Sequence, residues 1–428
     1  MLKTHAYRSL AKDDLQRLII RNADPSQEIQ NAVRSIIEEV KTDGDQALKR
    51  FTKQFDGIHL DKLYLEKEDI ATLAGKIGRE QQRALEIAFA NIYRFHETQL
   101  RKERTVETMP GVKCWREPRP IEKVGLYVPG GSAVLPSTLL MLGVPARIAG
   151  CKEIVVCSPP QANGQINAYI AFCLQLLKID RVYLAGGAQA VAAMAFGTTS
   201  IPRVDKIFGP GNQYVTMAKS LVQSSAQVSI DMPAGPSEVL VIADATANPA
   251  YVAADLLAQA EHGADSQAVL VSTDERLISA VQHELAAQLK LLPRAEVAAK
   301  ALTNSYAIRC DTLDDAVDFS NLYAPEHLII EIDDWEPLLR KIQNAGSVFA
   351  GHLTPESAGD YASGTNHTLP TSGHARSYSG VSVDSFVKKI TFQHISGEGL
   401  QHLGKTVEIL AELEGLQAHK NAISVRMQ

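Results

Sequence analysis

The chain has 428 residues, enough for two or three domains. Its hydrophobic share of 45% and charged share of 21% are ordinary for a globular protein, and a net charge of −6 gives no basic surface for nucleic acid. Five cysteines without a CxxC pair predict a reducing compartment and argue against a disulfide framework or a cysteine-rich zinc site. We find no signal core and no apolar run of the ~18 residues that a membrane span needs, so we expect a cytoplasmic protein without a membrane partner.

The first hundred residues are predicted to be helical. Asp24, Pro25 and Gln27 form a favourable helix start, with an N-cap, a proline at the first position and a capping-box residue. Apolar residues then recur at helical spacing until Gly44, and further helices are predicted around 47–55 and 79–101. No catalytic pattern appears here, which favours a scaffold or a subunit contact.

From residue 121 the pattern changes to that of a parallel sheet. Short apolar runs alternate with turns and helical stretches, and three of the runs lead into glycine-rich turns. Open parallel sheets bind ligands beyond the carboxyl ends of their strands, where backbone N–H groups suit a pyrophosphate. None of the turns matches GxGxxG, so nucleotide binding and ordinary turn chemistry remain open alternatives. The predicted strands are 123–128, 153–157, 181–184 and 206–208.

A second series of strands follows a polar, proline-rich hinge at 231–237. Its members are 239–243, 268–272, 327–332 and 347–350, and they predict a second unit of similar construction. The predicted fold class is therefore α/β, with two Rossmann-like parallel-sheet domains plus helical N-terminal and C-terminal segments. The predicted boundaries are 1–105, 106–235, 236–380 and 381–428.

A short amphipathic helix across 253–262 ends in a polar group of side chains. Gln259 and His262 are three residues apart and so share a face, and Gly263 is predicted to end the helix. A histidine with amide and carboxylate neighbours is a candidate for part of a metal-binding site. The alternative is a histidine that interacts with the last carbonyls of its helix.

Two further polar features carry candidate chemistry. Glu326 and His327 place a carboxyl and an imidazole side by side at the start of a strand, where one could act as general acid and the other as general base. An exposed glutamate beside an edge histidine is the alternative. The segment 351–380 has few core residues but contains three histidines together with Glu356 and Asp360. Such long irregular segments are usually functional or disordered, and its composition favours a functional role.

Taken together, the motifs resemble the histidinol dehydrogenase family. The resemblance is strong over 120–395, and weaker but collinear at both ends. It is carried by VGLYVPGGS at 124–132, KIFGPGN at 206–212, DMPAGPSE at 231–238, QAEHGADSQ at 259–267, APEH at 324–327 and PESAGDYASGTNH at 355–367.

The resemblance implies oxidation of L-histidinol to L-histidine through L-histidinaldehyde with two NAD⁺, in the last steps of histidine biosynthesis. It implies that Glu326 and His327 are the acid/base pair. The implied ligands of one Zn²⁺ per subunit are Gln259, His262, Asp360 and His419, although chemistry alone favours Glu261 over Gln259. The implied substrate contacts are Ser237, Gln259, His262, His327, Asp360, Glu414 and His419, and the implied NAD contacts are Tyr127, Gln189 and Asn212.

The resemblance also implies a homodimer with shared active sites, in which the C-terminal segment completes the partner's site and the N-terminal helices contact the partner. Three other functions use the same residues. One is a metal-dependent hydrolase, another is an NAD-linked aldehyde dehydrogenase with a cysteine nucleophile, and the third is a small-molecule-binding regulator without activity. The regulator would have lost the Glu326-His327 pair or the ligand set, and this chain retains both.

Overall fold

The computed structural model describes residues 2–21, 27–101, 103–130, 134–226, 228–233 and 235–428. The predicted helix start at Asp24 and Pro25 lies outside these residues, as does part of the first glycine-rich turn, 131–133. The N-terminal part contains β1 (Lys3–Ala6), α1 (Lys12–Ile19), α2 (Gln27–Asp43), α3 (Asp45–Phe51), β2 (Tyr64–Leu65), α4 (Lys67–Ala74), α5 (Arg79–Glu97), β3 (Val106–Met109) and β4 (Val112–Pro120).

The first large sheet has six strands in the order β2-β7-β6-β5-β8-β9. All its pairings are parallel except that of β2 with β7, and helices pack against it in one large core. After β2, its elements are β5 (Lys123–Tyr127), α6 (Pro136–Ala149), β6 (Glu153–Ser158), α7 (Ala168–Leu176), β7 (Val182–Leu184), α8 (Gly187–Phe196), β8 (Lys206–Phe208), α9 (Gln213–Ser225) and β9 (Ser229–Ile230).

The second large sheet is parallel throughout, in the order β1-β12-β11-β10-β13-β14. After β1, its elements are β10 (Glu238–Ala243), α10 (Pro249–Ala260), β11 (Gln267–Ser272), α11 (Glu275–Gln288), α12 (Ala295–Thr303), β12 (Tyr306–Arg309), α13 (Leu313–Tyr323), β13 (His327–Glu331), α14 (Glu336–Leu339), β14 (Ser347–Ala350) and α15 (Glu356–Tyr361).

The central strand β10 shows why this sheet forms. Val239 and Val241 belong to one hydrophobic core, and Leu240 and Ile242 belong to another on the opposite face. A strand that is buried on both faces needs a continuous apolar run, which is the pattern seen in 239–243.

The C-terminal part forms a separate arm. β15 (Val387–Ile395) pairs antiparallel with β4, which also pairs with β3, and the chain continues into α16 (Gly397–Leu413) and α17 (Gln417–Ser424). The structure therefore adds a strand to a segment that the sequence predicted to be helical. It also adds β1 to the N-terminal segment, where β1 forms one edge of the second large sheet.

The eight predicted parallel strands are confirmed, with small differences at their ends. The helix that contains Gln259 ends at Ala260 rather than at Gly263, so His262 lies in the turn after α10. The polar segment 351–380 contains the short helix α15. Within the described residues, no helix is both long and apolar enough to cross a membrane.

Candidate active site

Glu326 and His327 lie at the amino edge of the second large sheet. α13 ends at Tyr323, and Ala324 adopts a left-handed conformation (φ 53°) that turns the chain into β13. This conformation is uncommon for a residue with a side chain, and such residues are enriched at functional sites. Glu326 and His327 follow after Pro325 and are only 6% and 3% exposed, so the structure contradicts the alternative of an exposed glutamate.

The backbone of Glu238, the first residue of β10, holds both side chains. Its N–H donates to Glu326 Oε2 (2.9 Å), and its carbonyl oxygen lies 3.2 Å from His327 Nδ1. A carbonyl can only accept, so Nδ1 carries the proton and Nε2 is the basic nitrogen of the neutral imidazole. The buried strand β10 therefore fixes the orientation of the pair and the tautomer of the histidine.

A short helix brings two more carboxyl groups to His327. Glu356 and Asp360 are four residues apart on α15 and so lie on one face. Glu356 Oε1 lies 3.8 Å from Nδ1, and Asp360 Oδ1 lies 3.6 Å from Nε2. A side-chain carbon at Gly359 would lie 2.5 Å from the Phe349 ring, so glycine permits this close packing of α15 on β14.

The site contains more buried carboxyl groups than cations. Burial raises the pKa of Glu326 to about 7 and that of Glu356 to about 8. Burial acts to lower the pKa of His327, but Glu356, Glu326 and Asp360 outweigh it and raise that pKa well above its ordinary value. Burial likewise acts to raise the pKa of Asp360, but the His327 imidazole lowers it. Because burial disfavours the charged carboxylates, protons or a cation must neutralise them.

Gln259 is fully buried at the end of α10. In the orientation that satisfies its neighbours, its amide N–H₂ donates to the Glu356 carboxylate (2.5 and 3.2 Å), and its oxygen accepts from Glu238 N–H (3.3 Å). Glu261, the alternative ligand, is only half-buried.

His262 lies at the open side of the same group. His262 is exposed to solvent, although nearby protein atoms partly desolvate its imidazole. This crowding lowers its pKa, while the nearby Asp360 carboxylate acts in the opposite direction. His262 therefore lies near Asp360 and His327, as a shared metal or substrate site would require.

The residues present suit a divalent cation. Among the described residues, His327, Glu356 and Asp360 form a group whose potential ligand atoms lie within 4.8 Å of one another. His327 Nε2 and Asp360 Oδ1 are buried and make no hydrogen bond. Imidazole nitrogens and carboxylate or amide oxygens are ligands that zinc accepts. Of the predicted ligands, Gln259, His262 and Asp360 converge on this group.

The two predicted site residues near the C-terminus, Glu414 and His419, lie on the C-terminal arm. Glu414 follows the end of α16, and His419 lies on α17. Both side chains are exposed on the arm.

Ser237 comes directly before β10. It is half-buried and lines a cavity of about 410 Å³ with Glu238, Asp265 and Ser372. Its carbonyl oxygen accepts from the backbone N–H of Gln267 (3.1 Å), which ties it to the start of β11.

The predicted NAD contacts lie at the carboxyl edge of the first large sheet. Tyr127 ends β5, and its hydroxyl accepts from Gly187 N–H (3.1 Å) at the start of α8, which also carries the buried Gln189. Asn212 is the N-cap of α9. Gly209 has φ 126°, and a side-chain carbon there would lie 2.2 Å from the Tyr127 carbonyl oxygen. These tight glycine turns at strand ends suit a dinucleotide.

One histidine connects the edges of the two sheets. His367 Nδ1 lies 2.8 Å from the Asp360 carbonyl oxygen, and Nε2 lies 3.2 Å from the hydroxyl of Thr138 in the first turn of α6. The carboxyl edge of the first sheet therefore faces the segment that carries Glu356 and Asp360. The acid/base pair lies at the amino edge of the second sheet, in agreement with its predicted position at the start of a strand.

The cysteines do not support a cysteine nucleophile. All five are free, and four of them are buried. Burial raises the pKa of Cys151, Cys173 and Cys310 to about 12 and raises that of Cys157 further, so these groups are thiols at neutral pH. Cys114 is half-buried on β4 in the antiparallel sheet.

Sequence reasoning missed two residues at this site and left a third unassigned. Glu238 acts through its backbone, and Arg21, which pairs with Glu238, comes from the N-terminal segment. Glu356 was noted without a role, although its spacing from Asp360 was a usable signal.

Comparisons with known proteins agree with the resemblance. The family model described as histidinol dehydrogenase matches residues 19–427. The chain is 53% identical over 427 residues to histidinol dehydrogenase of Bacteroides thetaiotaomicron, covering 100% of this chain and 99% of that one. It is 51% identical over 430 residues to the chloroplastic histidinol dehydrogenase of Arabidopsis thaliana, covering 100% and 92%.

A solved structure has the same fold. The crystal structure of histidinol dehydrogenase from Elizabethkingia anophelis matches with a TM-score of 0.96 and 50% identity, covering 100% of this chain and 98% of that one. The chain belongs to the histidinol dehydrogenase family.

Proposed function

We propose that this chain oxidises L-histidinol to L-histidine through L-histidinaldehyde with two NAD⁺, in the last steps of histidine biosynthesis in the cytoplasm. The observation that carries the proposal is the buried Glu326-His327 pair, held by the Glu238 backbone beside Asp360. A relative that is 53% identical along the whole chain bears the same activity in its name.

We propose that Gln259, His262 and Asp360, with His419 supplied by a second copy of the chain, hold one Zn²⁺ per subunit. The buried Asp360 Oδ1, which makes no hydrogen bond, and the excess of buried carboxyl groups support a cation there. When bound, zinc would hold the imidazole and amine of the substrate as a Lewis acid, and NAD⁺ would accept a hydride in each oxidation.

His327 is the proposed base of the first oxidation. Its Nδ1–H donates to the Glu238 carbonyl, which leaves Nε2 to accept the proton of the substrate hydroxyl. The carboxylates of Glu326, Glu356 and Asp360 then stabilise the resulting imidazolium. A cation bound beside Asp360 would offset part of this negative charge, which would keep the imidazole neutral and Nε2 free to accept the proton.

Glu326 is the proposed base of the second oxidation. Its pKa of about 7 allows it to be ionised near neutral pH and still accept a proton readily. It takes a proton from water as the water oxygen adds to the aldehyde carbon, and the electron pair of the C=O bond moves to the aldehyde oxygen. The resulting hydrate anion can lose the second hydride, which leaves the carboxyl group of L-histidine. Its Oε2 stays oriented by Glu238 N–H during this step.

The remaining proposed contacts divide between the two sheets. Tyr127, Gln189 and Asn212 at the carboxyl edge of the first sheet contact NAD. Ser237 contacts the substrate, together with Glu414 of the C-terminal arm. The cleft between these edges is the proposed place of reaction.

We propose that the protein is a homodimer in which each C-terminal arm completes the other subunit's site. α16 and the following turn leave an apolar row exposed, formed by Ile409, Leu410, Leu413 and Leu416. Apolar patches of this kind are typical of protein interfaces.

Mixing two inactive variants tests the shared site. We expect a Glu326→Gln chain and a His419→Ala chain to recover up to about a quarter of wild-type activity after subunit exchange, because half of the dimers contain one intact site. Mixing Glu326→Gln with His327→Asn is the control and should recover nothing, since one subunit supplies both residues. Absence of recovery in the first mixture, after exchange has been confirmed by mass spectrometry, would refute the exchanged arm.

A metal-dependent hydrolase remains the second candidate because the same carboxyl and imidazole groups could activate water. The two functions differ in one readout. A hydrolase would form no NADH when it is supplied with histidinol and NAD⁺.

A further inference from the structure

Arg21 is a buried cation from the N-terminal segment that reaches the active site. Its side chain is 9% exposed, and its Nε lies 2.7 Å from Oε2 of Glu238, whose side chain is 2% exposed. The two residues are more than two hundred positions apart in the sequence. Because burial of a charged side chain is costly, a buried and closely paired arginine at this position indicates a structural or functional role.

The same guanidinium contacts the end of α13. Nη1 donates to the Tyr323 carbonyl (2.9 Å), and Nη2 lies 3.4 Å from the Ala324 carbonyl. Its central carbon also lies 3.9 Å from the centre of the Tyr323 ring, which is a cation–π distance. Cations are favoured at helix C-termini, where the last carbonyls lack partners within the helix.

These contacts join the two segments that carry the acid/base pair. On one side, Glu238 fixes Glu326 through its N–H and His327 through its carbonyl. On the other side, Tyr323 ends α13, and the left-handed Ala324 turns the chain toward Glu326, two residues later. Arg21 thus contacts both segments. It pairs with the side chain of Glu238 on one segment and lies against the carbonyls of Tyr323 and Ala324 on the other.

We propose that Arg21 is a positioning residue that holds Glu326 and His327 in their reactive geometry by bracing the start of β10 against the α13–β13 turn. The proposal rests on the function proposed above, because it assumes that this pair does the chemistry. Arginine suits the task because its planar fork donates in several directions from one rigid group, which lysine cannot do. Misplacement of reacting groups by about 1 Å can cost about 10²-fold in rate.

The first test is Arg21→Met, which keeps the length of the side chain but removes its charge and its donors. We expect kcat to fall about 10²-fold while the KM for NAD⁺ stays near its wild-type value, because the NAD turns lie on the other sheet. Arg8→Met is the matched control. Arg8 comes from the same segment and pairs with Asp315 at the opposite end of α13, but its side chain is 62% exposed, and we expect its loss to leave kcat unchanged.

A double variant separates positioning from stability. Arg21→Met leaves the Glu238 carboxyl buried without its partner, so the single variant should also lower Tm. Arg21→Met/Glu238→Gln removes both charges, and we expect it to restore most of the lost Tm while kcat stays low. A double variant with both Tm and kcat restored would show that Arg21 only stabilises the fold and would overturn the proposal.

Two other results would also contradict the positioning role of Arg21. Wild-type kcat in a folded Arg21→Met chain would exclude the bracing role while leaving the proposed function intact. A wild-type chain that forms no NADH from L-histidinol would refute the proposed function, and the positioning role would fail with it. Measurement of wild type beside each variant distinguishes these cases.

Discussion

Replacement of Glu326 by glutamine is expected to slow the oxidation of L-histidinaldehyde by about 10²–10⁴-fold, the usual contribution of a general base. The glutamine oxygen can still accept from Glu238 N–H, so the fold and the position of His327 should be retained. What the variant loses is the group that takes a proton from water. Interconversion of the alcohol and the aldehyde needs no water, so we expect a much smaller effect on that step.

The two half-reactions can be measured separately. Oxidation of added L-histidinaldehyde reports the second step, and its NADH-dependent reduction to L-histidinol reports the first step in reverse. Glu336→Gln is a suitable control because Glu336 is exposed at the start of α14. An equal loss in both half-reactions would show that Glu326 does not have the assigned role.

Removal of the proposed zinc with a chelator is expected to lower activity by a factor on the order of 10³ or more, since a Lewis acid typically contributes several kcal/mol. Titration with Zn²⁺ should restore activity at one equivalent per subunit. Full activity in protein shown by elemental analysis to lack metal would exclude the zinc site.

Metal removal should also change how stability depends on pH. Without a cation, burial holds the pKa of Glu326 at about 7 and that of Glu356 at about 8, above their ordinary values near 4.5. The folded state then binds more protons than the unfolded state in this range, so its stability falls as pH rises from about 4.5 to about 8. We expect Tm of the metal-free protein to fall across this interval and Tm of the zinc-loaded protein to fall less, as measured by calorimetry.

The parallel strands were predictable because their burial leaves a direct mark on the sequence. Residues 239–243 are apolar without interruption, since β10 packs on both faces. β15 was not predicted because most of its side chains are exposed and its apolar residues form no continuous run. β1 has four residues and only half-buried or exposed side chains, so its pairing with β12 is a tertiary contact that local pattern cannot reveal.

The candidate site was predictable where residue type carries the chemistry. Glu326, His327 and Asp360 have titratable side chains at a strand start or in a polar segment, and the structure brings them together. The choice of Gln259 over Glu261 came from family resemblance, and the structure buries Gln259 against Glu356. Pattern alone could not supply the role of Glu238, because a backbone N–H and carbonyl leave no trace in residue type.

The most direct test of the proposed function is the number of NADH molecules formed per L-histidine released. It should be measured with purified protein of known zinc content, by NADH absorbance and by chromatographic quantification of histidine in the same sample. Oxidation of the alcohol and of the hydrated aldehyde at one site predicts a ratio close to two. A ratio close to one, or histidinol turnover without NADH, would contradict this function.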